Sequence, residues 1–395
     1  MRSLKRLAAI VFVLLLASPV YAYSPSTAAV GDYVTKSTGS DRGYVAPTKT
    51  QFSTTQLFIS NNPESMKATT IFVGKASVLG YTNLQVGKTY RIYVAHTNNY
   101  GSTLNLALVL KGSTAGTFTL TKKAVSIGTN YATVGVNSAR DFLNSSYNQT
   151  LDIPTSWTYY DGPYTVESSQ SFQGWWEITV NSGSGVALGV SAAPAGVNIQ
   201  TAWRTGNTED APKEPMGSED HLAVGLFKSL KTVDLTVDLD TYQSVGAYSK
   251  DRLGHYFGDQ TDPKADSGVG NSGTNDGWVA EAFSGSGQGS TYLPGNYGAI
   301  YRYQITFRST LGRKGAVLIG RNPAQGGTTG SIGLVLKPSG GSAISLGPIT
   351  NPDTSKAWLV VKDVAGTAGG TTISFDVLVP GNIELPYTVY FERVL

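Results

Sequence analysis

From residue 56 onward the chain alternates apolar and polar positions. QLFIS, ATTIFVG, TYRIYVAH, TLNLALVLKG and GTFTLTKK follow one another, separated by Asn, Gly, Pro and Ser. A period of two turns one face of each segment toward a core, which predicts half-buried strands. Around YVAHTNNYGSTLNLALV, residues 93–109, Ile92, Val94 and His96 share one face of a first strand. Leu104, Leu106, Leu108 and Leu110 share one face of the next. Asn98, Asn99 and Gly101 between them tolerate turn geometry, so the stretch reads as a β-hairpin. The pattern changes in TNYATVGVNSARDFLNSSYN, where Val136, Ala139, Phe142 and Leu143 fall at helical spacing, with Asn130 or Asn137 near the start. Alternation resumes in PYTVESSQ, GWWEITV and GVALGVSAA.

A second strand-rich region follows, with AIYRYQITFRS, AVLIGRN, SIGLVLKP, AWLVVKD, TTISFDVLVP and ELPYTVYFERV. Between the two regions, WRTGNTEDAPKEPMGSEDH (203–221) combines prolines, glycines and acidic residues without an apolar period. It reads as a linker or long loop. Residues 23–54 hold few aliphatics and no sustained period, so a flexible N-terminal segment is expected there. The fold predicted is mainly β: two antiparallel β-sandwich-like domains, 55–202 and 222–395, with one short helix.

The first 22 residues change the expected location. Arg2, Lys5 and Arg6 precede the apolar run LAAIVFVLLLA, and Val20-Tyr21-Ala22 supplies a cleavage site, the pattern of a signal peptide. That run is shorter than the ~20 residues a spanning helix requires, so the mature chain is expected to be secreted or at the cell surface and not membrane-spanning. The chain carries 30 Lys+Arg against 27 Asp+Glu, and three of those bases lie in the signal. The rest is balanced, which removes the basic field that nucleic-acid binding needs. Charged residues make up 14%, against about 25% in ordinary soluble domains, and there is no cysteine to staple the fold.

Candidate chemistry is sparse. His96 has no neighbouring histidine at metal-ligand spacing, the others being His221 and His255, and no G-x-S-x-G elbow accompanies it. It is expected to tie down the turn by bonding a loop carbonyl, Asn98 or Thr97, and no catalytic residue is assigned. In VDLTVDLDTY, alternation places Asp234, Thr236, Asp238 and Asp240 on one face, with residues two apart about 7 Å from one another. These could share a calcium ion, act as a pair in glycoside cleavage, or form a solvated face, and the three readings stay open. The loop 259–278 offers further oxygens without the spacing of a calcium loop; no other cofactor is expected. Aromatic residues are richer: WTYYDGPY carries Trp157, Tyr159, Tyr160 and Tyr164, and GWWEITV sends Trp175 and Trp176 to opposite faces of one strand. Trp157, Tyr159, Tyr160, Tyr164 and Trp176 are the candidate ligand-binding rings, since the apolar face of a pyranose stacks on an aromatic ring.

QLFIS, RIYVAHTNNYGSTLNLALVL, LPGNYGAIYRYQI and GRNPAQGGTTGSIGLVLKP also carry a resemblance. In patches over about 55–150 and 290–395, the chain resembles secreted proteins of Gram-positive bacteria that often bear a copper-amine-oxidase-like N-terminal stalk domain. The stalk itself is not seen. The shared motifs are a Y-x-x-H-x-N turn (Tyr93, His96, Asn98) and a G-N-Y-G lead into a strand (Gly295 to Gly298). The resemblance implies an exported β fold in which His96, Asn98 and Tyr297 are structural; it implies no oxidase chemistry. The function expected is non-catalytic binding of polysaccharide or a cell-surface protein. The alternatives are a glycan hydrolase using the acidic strand and a structural subunit of an envelope layer or fibre.

Overall fold

Strands do form where the apolar alternation places them, and they stack as pairs of sheets. The computed structural model describes residues 28–35, 40–44, 49–214, 224–241, 244–245, 248–249, 251–257, 265–266, 297–321, 330–353, 355–381 and 387–394. The signal segment, and the loop 259–278 apart from 265–266, lie outside the described residues. The protein is mainly β, with two helices among the described residues, α1 (Tyr131–Asn144) and α2 (Ile199–Thr205).

The first sandwich has a seven-stranded and a five-stranded sheet. The seven-stranded one runs Gln149–Ile153, Thr114–Gly128, Ser171–Ser184, Thr89–Asn98, Gln56–Ser60, Val224–Lys228, with Ser65–Met66 added beside Thr89–Asn98. The five-stranded one runs Thr158–Val166, Leu104–Lys111, Val186–Pro194, Ala76–Leu84, Thr208–Asp210. The expected hairpin at 93–109 is therefore corrected. Thr89–Asn98 and Leu104–Lys111 belong to opposite sheets, and Ile92 and Val94 meet Leu104, Leu106 and Leu108 across the core. Alternation fixes which face of a strand is apolar; it does not say which edge finds which partner.

The second sandwich is built from a six-stranded sheet (Ile344–Thr350, Ser331–Pro338, Thr371–Leu378, Ile300–Arg308, Leu230–Asp238, Lys49–Phe52) and a nine-stranded sheet centred on Lys356–Ala365, Lys314–Arg321 and Tyr387–Val394. The flexible N-terminal segment is a second correction. Tyr33–Thr35 pairs with Lys356–Trp358, Ser40–Tyr44 with the strand Asp251–Phe257, and Lys49–Phe52 with Leu230–Asp238. Strands of three to five residues are too short to show a period, so they read as loop. Of the linker or long loop read over 203–221, residues 215–221 lie outside the described residues, and the rest is not a linker. Trp203 lies in α2, and Thr208–Asp210 pairs in parallel with Ala76–Val78, so this stretch stays in the first sandwich up to Glu214. Its polar composition reflects an exposed edge strand and not a joint.

The chain instead passes between the sandwiches at two adjacent points, residues 53–55 and Ser229. The Ser53 N–H donates to the Leu230 carbonyl (3.0 Å), and Ser229 donates from its N–H (3.3 Å) and hydroxyl (2.9 Å) to the Thr55 carbonyl. An antiparallel ribbon thus runs from one sandwich into the other with its hydrogen bonds unbroken. Beside it lies α1. Asn130 caps its start, with Oδ1 accepting from the Thr133 N–H at 3.0 Å. Its apolar stripe buries Ala132, Val136, Ala139, Phe142 and Leu143. Phe142 stacks on Trp175 (5.6 Å between centroids), and Trp175 stacks on Tyr93 (4.0 Å). These residues belong to the same apolar cluster as Tyr301, Ile305, Leu334 and Phe375 of the second sandwich. Both adjacent tryptophans are buried: Trp175 under α1, Trp176 inside the first sandwich.

The C-terminus of α1 is fastened to both halves. Lys122 of the first sandwich donates to the Ser145 carbonyl (2.7 Å), and Lys337 of the second donates to the Leu143 carbonyl (2.5 Å). Cations there offset the negative end of the helix dipole. Asn144 grips the Ala343 backbone in both directions, at 3.1 and 2.7 Å. Replacing Phe142 with Ala leaves a cavity in the shared cluster and is expected to cost about 3–5 kcal/mol. Urea denaturation of the Phe142→Ala variant checks this, and a loss under about 1 kcal/mol contradicts the assignment.

Candidate functional site

His96 is fully buried at the end of its strand. Its Nδ1 lies 2.7 Å from the Pro63 carbonyl and its Nε2 lies 3.0 Å from the Ser60 hydroxyl. A carbonyl can only accept, so Nδ1 carries the proton and Nε2 accepts from Ser60. This Ser-His pair is not a catalytic dyad. Ser60 is also fully buried, a backbone carbonyl stands where a triad has its carboxylate, and burial pulls the imidazole down to about 3, with Lys213 adding to the fall. A base that weak takes no proton from serine at neutral pH. Asn98 completes the same corner: its amide donates to the Ser102 (2.9 Å) and Val166 (2.7 Å) carbonyls and accepts from the Tyr100 N–H (3.0 Å). Tyr297 is buried in the shared cluster, and Gly298 after it has φ +82°, where a Cβ would sit 3.3 Å from Leu57 of the first sandwich.

The three carboxylates of the acidic strand are held differently. Val233, Leu235, Val237 and Leu239 are buried as the alternation requires. Asp240 lies beyond the strand end and accepts from the Ser309 hydroxyl (2.7 Å), the Thr310 N–H (2.6 Å) and the Thr310 hydroxyl (2.7 Å). These bonds, first the one from Ser309, hold its carboxyl down at about 2. Asp238 accepts from the Asp240 N–H at 2.9 Å. Asp238 and Asp240 thus fasten the loop after the strand, while Asp234 lies within it, and among the described residues no three His, Asp or Glu side chains gather to hold a metal.

The candidate rings divide between two faces as alternation requires, Trp157 and Tyr159 falling opposite Tyr160 and Tyr164; the strand Thr158–Val166 is also bulged, its register shifting at Tyr159/Asp161 and at Asp161/Tyr164. Tyr160, Tyr164 and Trp176 turn inward with the first sandwich core. There Asp161 accepts from the Trp176 indole (2.5 Å) and pairs with Lys123 (2.7 Å). Trp157 and Tyr159 turn outward onto the five-stranded sheet, where Tyr81 and Trp203 join them. Trp203 lies 4.3 Å from Trp157 and 6.2 Å from Tyr81, nearly parallel to the latter at 16°. The Lys111 ammonium sits 5.0 Å from the Trp157 ring. Gly189 is required beneath: a Cβ there would come within 2.6 Å of the Trp203 ring. Tyr81, Tyr159 and Trp203 are half-buried, so the cluster reaches solvent as a shelf. Exposed Asn83 flanks it, and Arg204 ties its edge down by donating to the Trp157 carbonyl (2.6 Å) and the Thr158 hydroxyl (3.1 Å).

Sequence reading missed Tyr81 and Trp203. The second was legible: Asn198 followed by Ile199, Ala202 and Trp203 at helical spacing, with Gly206 after, is a capped helix. A second feature it missed is a cleft of about 280 Å³, lined by Glu64, Ser65, Thr97, Asn99, Thr129, Tyr131, Ser169, Ser171 and Glu214. Those residues come from five separate stretches of chain. Glu214 is positioned by Asn62, whose side chain accepts from its N–H (2.7 Å), and by Lys67, 3.1 Å from its carboxylate.

No protein-family model matches the chain, and no curated protein sequence does. The resemblance to stalk-bearing secreted proteins therefore rests on its motifs alone. Solved structures similar to it include the PBSX exported protein XepA, 12% identical over 81% of this chain and 86% of that one, with a TM-score of 0.18. A tandem of CBM22-1 and CBM22-2 domains from Paenibacillus barcinonensis Xyn10C is 9% identical over 84% and 100%, at 0.16. A Paenibacillus xanthan lyase is 10% identical over 82% of this chain and 26% of its own, at 0.15. At such scores none of them carries an argument about this chain. No helix among the described residues is long and apolar enough to cross a membrane.

The buried histidine sets a pH dependence. Its value falls from about 6.5 unfolded to about 3 folded, so the unfolded chain binds the extra proton between those limits. Stability then rises with pH from 3 to 6.5 and is lost on acidification, by at most about 1.4 kcal/mol per pH unit from this group. Denaturant midpoints at pH 7 and pH 4 are expected to differ more in the wild type than in His96→Gln; equal slopes contradict the buried neutral imidazole.

Proposed function

We propose that the protein is an exported, non-catalytic carbohydrate-binding protein whose contact surface is the outer aromatic shelf of the first sandwich. The observation that carries this is the convergence of Tyr81, Trp157, Tyr159 and Trp203 on one sheet face, with polar side chains at its margin. Stacked rings offer area at low entropic cost, and the C–H faces of a pyranose match them while Asn83 meets its hydroxyls. The export part of the reading is supported by the basic, apolar and small-residue succession of residues 1–22. The hydrolase alternative gains no support, because Asp240 is already occupied by Ser309 and Thr310.

Affinity electrophoresis of the mature protein through gels containing neutral and acidic glycans tests this. Retardation by at least one glycan is expected, and Tyr81→Ala is expected to weaken it about tenfold, the effect of losing roughly 1.4 kcal/mol. Trp203→Ala should weaken it further, although that ring also docks α2, so Tyr81→Ala is the cleaner variant. Unchanged mobility of the wild type in every gel overturns the proposal.

A further inference from the structure

The aromatic shelf is charged as well as apolar, and with one sign. Resting on the reading of that shelf as a glycan surface, we propose that it takes acidic polysaccharide, with the Lys111 ammonium binding a carboxylate carried on the sugar ring. Strand register places this lysine. Lys111 pairs with Ala187, and Ala187 with Asn83, as one row across the five-stranded sheet. Two residues along, Tyr159 pairs with Val109, Val109 with Gly189, and Gly189 with Tyr81. Positions two apart on a strand share a face and stand about 7 Å from each other, so Lys111 borders the row that carries the rings. Trp203 lies over the middle of that row, above Gly189.

Lys111 lacks a counter-charge. Lys67, Lys75 and Lys123 of the same sandwich each lie within 3.1 Å of a carboxylate. Lys111 meets none among the described residues, and its ammonium rests 5.0 Å from the Trp157 ring instead. The ring holds the cation at the shelf and, unlike a carboxylate, leaves its charge uncancelled. Arg204 brings a second positive charge to the same edge. Its donors go to the Trp157 carbonyl and the Thr158 hydroxyl, so it adds to the local field while Lys111 makes the contact. In a chain with only 14% charged residues, two cations without carboxylate partners at one aromatic surface set that surface apart. A pyranose laid flat on the rings carries its carboxylate out toward their rim, where an ammonium donor can take it in a charge-assisted hydrogen bond. A neutral sugar leaves that ammonium to water.

Isothermal titration of the mature protein with short oligomers of galacturonate, glucuronate and mannuronate, each beside its methyl ester, tests this. Esterification keeps the ring and removes the negative charge. At least one acid is expected to bind about fivefold tighter than its ester at low salt, the scale of a part-exposed ion pair, and to lose that advantage at about 1 M salt. Lys111→Met removes the charge and keeps most of the stem; it is expected to bring the acid down to the affinity of its ester and to leave the ester unchanged. Lys314→Met, on an exposed position of the second sandwich, is expected to change neither. Tyr81→Ala is expected to weaken acid and ester alike. The proposal is overturned if acid and ester bind equally, if Lys111→Met weakens both to the same degree, if Lys314→Met acts as Lys111→Met does, or if Tyr81→Ala leaves the acid unaffected. Esters or neutral glycans that bind while the acids gain nothing remove this proposal and leave the shelf reading standing; a protein that binds no glycan at all removes both.

Discussion

The stack of Phe142 on Trp175 on Tyr93 is the contact through which two sandwiches become one molecule. Sheets of this kind ordinarily leave their outer faces to water. Here the outer face of the seven-stranded sheet is apolar along Leu57, Ile59, Tyr93, Ala95 and Trp175, and α1 lies against it. Tyr93 also reaches across, its hydroxyl accepting from the Gly381 N–H at 2.8 Å and donating to Gln173 at 3.0 Å. Burying so much aromatic surface on both sides of one sheet outweighs the freedom the halves would gain by separating. The buried Arg91, held by Glu177 at 3.0 Å and by the Ser229 carbonyl at 2.8 Å, fixes the seam at the crossing point itself.

That shared core bears on where function can reside. The groups most suggestive of chemistry are used up in fastening: His96 by Pro63 and Ser60, Asp161 by Trp176 and Lys123, Asp240 by Ser309 and Thr310. Among the described residues, the aromatic shelf of Tyr81, Trp157, Tyr159 and Trp203 stays open to solvent on the outer face of the five-stranded sheet.

Much of the fold was legible because a period of two survives in nearly every long strand, and the helical spacing of Val136, Ala139, Phe142 and Leu143 is unambiguous. Pairing was not legible. Residues 89–98 and 104–111 carry the signature of a hairpin, yet the turn between them is the corner of a sandwich. The N-terminal strands escaped because a segment such as Tyr33–Thr35 is defined by the edge it completes and not by its own pattern. The site was half legible: Trp157 and Tyr159 were read from WTYYDGPY, but alternation sends Tyr160 and Tyr164 to the other face, and Tyr81 enters from a strand some 75 positions earlier. Glu64 and Glu214 meet through a strap that composition alone marks as a linker.

The claim that both halves share one core is tested most directly by native-state hydrogen exchange followed peptide by peptide. If the account is right, the slowest amides in Thr89–Asn98 and in Ile300–Arg308 open together, with the same free energy and the same denaturant dependence. Exchange of Ile300–Arg308 through a separate, lower-energy opening while Thr89–Asn98 stays protected would contradict it.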